Sequence, residues 1–73
     1  MNLYLCSHTK GEGYYTYFVE VIANDEQHAR EIATDLVREK SYFSSNVEPS
    51  KWNVTFKDSG YSEPARVKDY YQK

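Results

Sequence analysis

With 73 residues, nine Lys and Arg against eleven Asp and Glu, one cysteine and a net charge of -2, the chain has room for a single domain and no internal disulfide. A chain this short buries only about 60% of the surface it exposes when unfolded, which leaves no apolar area for a second core. The near-neutral, interspersed charge argues against a dedicated nucleic-acid binder, which draws affinity from a basic surplus, and equally against an acidic DNA mimic.

Two further classes are excluded by pattern. Leu3-Tyr4-Leu5-Cys6 is shorter than the roughly 7–15 apolar residues of a signal-peptide core and follows no basic segment. No stretch approaches the roughly 20 apolar residues of a membrane span, and the lone Cys6 suits a reducing compartment, so a cytoplasmic setting is expected. Tyrosine is the unusual entry in the composition: eight Tyr with three Phe and one Trp make the chain 16% aromatic. Tyrosine joins a large contact area to a polar tip, which serves recognition surfaces as well as cores.

In chain order, Asn2 to His8 alternates with Leu3, Leu5 and Ser7 on one side and Tyr4, Cys6 and His8 on the other, as a first strand does. Thr9-Lys10-Gly11-Glu12-Gly13 reads as a hairpin loop. It is not a phosphate-cradling loop, because it leads into a strand rather than a helix N-terminus. Tyr14 to Ala23 is rich in aromatic and β-branched residues and forms the second strand. Tyr15, Tyr17, Val19, Val21 and Ala23 are its predicted core face, because Glu20 interrupts the opposite set of Tyr14, Thr16, Phe18 and Ile22.

A helix follows, with Asn24 as N-cap, Gln27 in the capping-box position and Asp25 and Glu26 at the positive end of the dipole. Ala29, Ile32, Ala33, Leu36 and Val37 fall on one helical face, and Arg38 and Lys40 close the last turn. Ser41 to Ser50 is a linker, with Tyr42 and Phe43 expected against the helix end and Pro49 disfavouring strand pairing. Trp52, Val54 and Phe56 alternate with Asn53, Thr55 and Lys57 as a third strand, and Asp58-Ser59-Gly60 reads as a tight turn. The last segment is ambiguous: Ala65 to Tyr71 reads as a fourth strand around Val67, or Ser62-Glu63-Pro64 opens a short helix; the strand is favoured, because as a hairpin partner it would protect the third strand from edge pairing. The expected fold is therefore α+β: a three- or four-stranded antiparallel sheet with one helix on one face, in the order β-β-α-β-β.

Catalytic and metal chemistry find little purchase. His8 and His28 have no third ligand or paired carboxylate at ligand spacing, so they read as structural histidines, and no metal or cofactor is expected. Cys6 with His8 two residues along suggests a nucleophile and its base, but a small strand residue of this kind is more readily packing than catalysis, so the chain is expected not to be an enzyme. The tail residues Arg66, Lys68, Tyr70, Tyr71 and Lys73, with Lys51, form a basic and aromatic mixture suited to stacking on bases and touching phosphates.

One helix covers one face of a small sheet, so Tyr4, Cys6, Phe18 and Ile22 are expected on the uncovered face as a protein-contact strip. A homodimer seam, or a cover supplied by Tyr42, Phe43 or the tail, is the other use for such a strip. Leu3-Tyr4-Leu5, Gly13-Tyr14 with Thr16-Tyr17, and Ala23 through Ala29-Arg30 together resemble small phage-encoded proteins that begin with a similar strand, a Gly-Tyr-rich hairpin and a helix with an acidic run before Ala-Arg. The resemblance covers about the first 35 residues; the His-Pro pair expected after the helix is absent. It implies a protein similar in kind to anti-CRISPR proteins, which occupy a surface of a host complex rather than catalyse a reaction, and it carries over no functional residue. The resulting expectation is a non-enzymatic inhibitor of a bacterial protein or ribonucleoprotein complex, with Tyr4, Tyr14, Tyr15 and Phe18 as partner-binding anchors. The alternative is a nucleic-acid-binding module built on the tail.

Overall fold

The computed structural model describes residues 1–9, 16–40 and 48–72, with Thr9 described in its backbone only. Four strands, β1 (Asn2–Thr9), β2 (Thr16–Ala23), β3 (Asn53–Ser59) and β4 (Ala65–Gln72), flank one helix, α1 (Glu26–Lys40), and a short 3-10 turn at Pro49–Lys51. All strand pairings are antiparallel and the sheet order is β3-β1-β2-β4. The fold is thus the α+β arrangement that the alternating and helical patterns predict.

The predicted face of β2 is the core face: Tyr17, Val19, Val21 and Ala23 are all buried, while Tyr15 lies outside the described residues. Ala29, Ala33, Leu36 and Val37 of α1 are buried against them, with Ile32 partly buried alongside. The two small Ala side chains let the helix backbone approach the sheet closely, and Cys6 Sγ reaches the Ala29 carbonyl at 3.8 Å. The helix crosses the sheet diagonally. Arg30 near its start donates to the Pro49 and Trp52 carbonyls, whereas Glu39 and Lys40 at its end pair with Arg66 and Asp69 on β4.

Two local expectations are corrected. Asp25, not Asn24, caps α1: Asp25 Oδ1 accepts the His28 N–H at 2.8 Å, and His28 Nδ1 in turn accepts the Asn24 N–H at 3.1 Å. The reciprocal pattern of a capping box is present, shifted by one residue and closed by imidazole instead of Gln27. The second correction concerns the last strand. β4 does not form a hairpin with β3; it pairs with β2 at the opposite edge of the sheet. The link between them passes the start of β1, where the Tyr61 N–H donates to the Met1 carbonyl at 3.1 Å and the Met1 amino group donates to the Tyr61 carbonyl at 2.6 Å. Gly60 at φ 97 makes the change of direction, a left-handed conformation that costs glycine nothing. Tyr42 and Phe43 lie outside the described residues, so their placement against the helix end does too.

Candidate functional site

Residues directly opposite in an antiparallel pair share a face, so the β1–β2 register decides which side chains look away from α1. Tyr4 lies opposite Val21, Cys6 opposite Val19 and His8 opposite Tyr17, which puts all three on the helix side. The expectation that Tyr4 and Cys6 belong to the uncovered face is therefore overturned: Tyr4 is 5% exposed and Cys6 is buried, both inside the core. Leu3 opposite Ile22, Leu5 opposite Glu20 and Ser7 opposite Phe18 take the open face instead. Phe18 and Ile22 stand where expected; Tyr14 and Tyr15 lie outside the described residues.

β4 completes the surface. Phe18 pairs with Tyr70, Glu20 with Lys68 and Ile22 with Ala65. The Phe18 and Tyr70 rings stack at 5.1 Å between centroids with 17° between planes. Lys68 Nζ lies 3.2 Å from Glu20 Oε2 and 5.6 Å from the centre of the Tyr70 ring. The open face thus holds an aliphatic patch of Leu3, Leu5 and Ile22 and an aromatic pair of Phe18 and Tyr70, separated by one ion pair. The carboxylate that interrupts the sequence pattern at Glu20 has its partner on the neighbouring strand.

Among the described residues, the basic and aromatic side chains of β4 do not form one surface. Alternation along β4 sends Lys68 and Tyr70 to the open face, while Asp69 and Tyr71 face the helix side. Tyr71 packs on Tyr17 at 4.8 Å, and Tyr17 OH donates to Asp69 Oδ2 at 2.6 Å. Arg66 pairs with Glu39 at 2.8 Å and Lys40 with Asp69 at 3.0 Å. A cation already facing a carboxylate releases fewer counterions from a phosphate backbone than a free one.

Cys6 and His8 share a face but not the environment of a catalytic pair. Burial pushes the Cys6 thiol up to about 11 against the opposing pull of Arg30, so the thiol is neutral at pH 7. His8 sits edge-on to Trp52 at 5.6 Å, and its pKa is lowered by desolvation first and by the Lys51 charge second. The neutral imidazole is favoured there.

Sequence reasoning missed a buried polar connection in the core. Trp52 Nε1 donates to Thr34 Oγ1 at 2.9 Å, and that hydroxyl donates to the Arg30 carbonyl at 2.8 Å. Its signal lay in Thr34 standing beside the apolar stripe and in the need of a buried indole N–H for an acceptor. A shallow depression beside this point is lined by Gln27, Arg30, Glu48, Pro49 and Ser50. Arg30 within it is committed to backbone carbonyls of the 3-10 turn and the residue after it.

Among the described residues no group of His, Cys, Asp and Glu side chains is placed to hold a metal ion, and no helix is long and apolar enough to cross a membrane. Comparison with protein families, with curated proteins and with solved structures returns no match to this chain.

Proposed function

We propose that this chain is a non-enzymatic protein-binding module that acts by occupying a surface of its partner with the open face of its sheet. The observation that carries this reading is the set of half-buried Leu3, Leu5, Phe18 and Ile22 with exposed Tyr70 on the face turned away from α1, an aliphatic and an aromatic patch divided by the Glu20–Lys68 ion pair. Side chains carried on a hydrogen-bonded sheet have their backbone already ordered, so less ordering entropy opposes binding than for an unstructured segment. Apolar patches of this kind on small proteins mark partner contacts. The anchors on this reading are Phe18, Tyr70, Leu3 and Leu5. The resemblance of the first 35 residues to small phage proteins supplies the partner class: a bacterial protein or ribonucleoprotein complex, inhibited by steric occupation in the anti-CRISPR manner.

The test is capture of bacterial lysate proteins on immobilised parent protein and on a double variant, Leu5→Thr with Phe18→Thr, which keeps β-prone residues while removing apolar contact. A host protein retained in stoichiometric amount by the parent should bind the variant about tenfold or more weakly, since each lost interface anchor costs upwards of about 1 kcal/mol. Equal retention by a variant that melts like the parent would overturn the assignment of the face. Recovery abolished by nuclease treatment would move the function to the nucleic-acid alternative, with Phe18 and Tyr70 as the stacking platform.

A further inference from the structure

The two outer strands of the sheet are guarded differently. Edge strands commonly present charged side chains that deter pairing with another chain. On β4 every charged side chain is already neutralised within the protein: Arg66 by Glu39, Lys68 by Glu20 and Asp69 by Lys40. The same strand carries Val67, Tyr70 and Tyr71, exposed by 47%, 38% and 46%, which are three of the four exposed large hydrophobic side chains among the described residues. The fourth, Phe56, is on β3, where Lys57 and Asp58 form no ion pair among the described residues. The edge that would be expected to repel a neighbour is thus the one that offers apolar contact and no net repulsion.

We infer that β4 pairs antiparallel with β4 of a second copy, joining two molecules into one continuous sheet with both helices on the same side. The occupant is a second copy because the charge pattern of the strand is compatible with itself in registers centred on Tyr70 or on Tyr71, and the first of these also sets two Tyr70 rings opposite each other as an aromatic cross-strand pair. Pairing centred on Lys68 or on Asp69 sets like charges directly opposite each other, which is destabilising. Pairing centred on Tyr70 sets Tyr70 against its symmetry mate, Asp69 against Tyr71 and Lys68 against Gln72, with no like charges opposed. The register shift between Glu20 and Val21 makes Val67 the extra residue of a β-bulge, which lies at the far side of this segment and leaves Lys68 to Gln72 regular. In this arrangement Phe18 and Tyr70 of the two copies form one aromatic band across the seam. The inference rests on the edge of β4 and stands whether or not the open face binds a foreign partner.

A pairing of this length buries well under the roughly 1,200 Å² at which specific interfaces become stable, so the dimer belongs to the weak class and is sought between about 10 µM and about 1 mM. Sedimentation equilibrium across that range should show concentration-dependent dimerisation of the parent and of Tyr70→Phe, and a monomer throughout for Tyr70→Asp, which places like charges on the symmetry axis. Disulfide trapping guards against misreading a variant that merely fails to fold. Cross-strand Cβ atoms stand about 4.5–5.5 Å apart, near disulfide reach, so Tyr70→Cys should cross-link under mild oxidation at least about tenfold faster than Thr55→Cys on the other edge. The native Cys6 does not compete, being buried with its thiol pushed up to about 11. A parent that stays monomeric to about 1 mM, or cross-linking no faster at Tyr70→Cys than at Thr55→Cys, would overturn the inference.

Discussion

Thr34 shows how much a single side chain settles in so small a core. Its hydroxyl takes the Trp52 indole N–H while giving its own proton to the Arg30 carbonyl, so one buried polar atom satisfies the largest ring in the protein. Arg30 holds the same stretch from outside through the Pro49 and Trp52 carbonyls, which fixes where the chain re-enters the sheet as β3. Replacing Thr34 with Val keeps the volume but leaves the indole N–H buried and unpaired, a loss of about 1–3 kcal/mol. Chemical denaturation of Thr34→Val should show that loss, and the double variant Thr34→Val with Trp52→Phe should recover part of it, since both polar partners are then gone. An unchanged midpoint in Thr34→Val would mean that water reaches the indole. Cys6 illustrates the opposite case: its buried thiol packs under the Ala29 carbonyl, and burial pushes its pKa up to about 11.

At the scale of the element, α1 is set by its ends as much as by its apolar face. Asp25 closes the first turn by accepting from His28, and His28 returns the favour to Asn24, so two adjacent residues share the work that a capping box gives to one. Asp25→Ala should destabilise the protein by about 1 kcal/mol, within the 0.5–2 kcal/mol range of lost N-caps, and Asn24→Ala by distinctly less, because Asn24 contributes a backbone N–H that the substitution preserves. Thermal melts of the two variants side by side check this; equal losses would restore Asn24 as the cap. The last turn carries Arg38 and Lys40 at the negative end of the helix dipole, and Lys40 also reaches across to Asp69 on β4. The strands repeat the theme of paired constraints. Each outer strand meets its inner neighbour with one register shift, which increases local twist and bends the edge.

Across the whole molecule, the fold closes through contacts between residues far apart in the chain. β4 is attached by its ladder to β2, by Tyr17 OH to Asp69 and by the end of α1 to Asp69 and Arg66. The Asp69 carboxyl is held below its ordinary range by the Tyr17 hydrogen bond first, with the Lys40 hydrogen bond and charge adding to it against a desolvation penalty. Because the folded-state value is depressed, this carboxylate stabilises the fold above its unfolded pKa of about 3.9, and the contribution is lost as pH falls from there through the lower folded value. The stability difference between the parent and Asp69→Asn should therefore be constant from neutral pH down to about 5 and shrink below about 4. A difference that persists unchanged at lower pH would show that Asp69 acts by packing instead of charge. The same long-range closure makes β3 and β4 the two edge strands of the sheet, where a β3–β4 hairpin would have placed β2 at an edge instead of β3.

The elements themselves were legible in the chain because they follow from local periodicity: the helical stripe from Ala29 to Val37, the alternation of β2 with Glu20 marking its outer side, and the strand character of Ala65 to Tyr71. The side of β1 that faces the core was not. Leu3 and Leu5 are as apolar as Tyr4 and Cys6, and only the register against β2, a one-residue matter across the hairpin, assigns the two sets. For the same reason the open face is aromatic and apolar, as alternation in β2 predicts, but carries Leu3 and Leu5 in place of Tyr4 and Cys6 from its first strand. The sequence by itself determined which segments are strands and helix and which face of β2 and α1 is buried, since those depend on spacing within a segment. The tertiary structure alone decided that Tyr4 is core, that Thr34 answers Trp52 and that β4 stands beside β2. Those outcomes depend on which distant segments meet, and no periodicity within a segment encodes that choice.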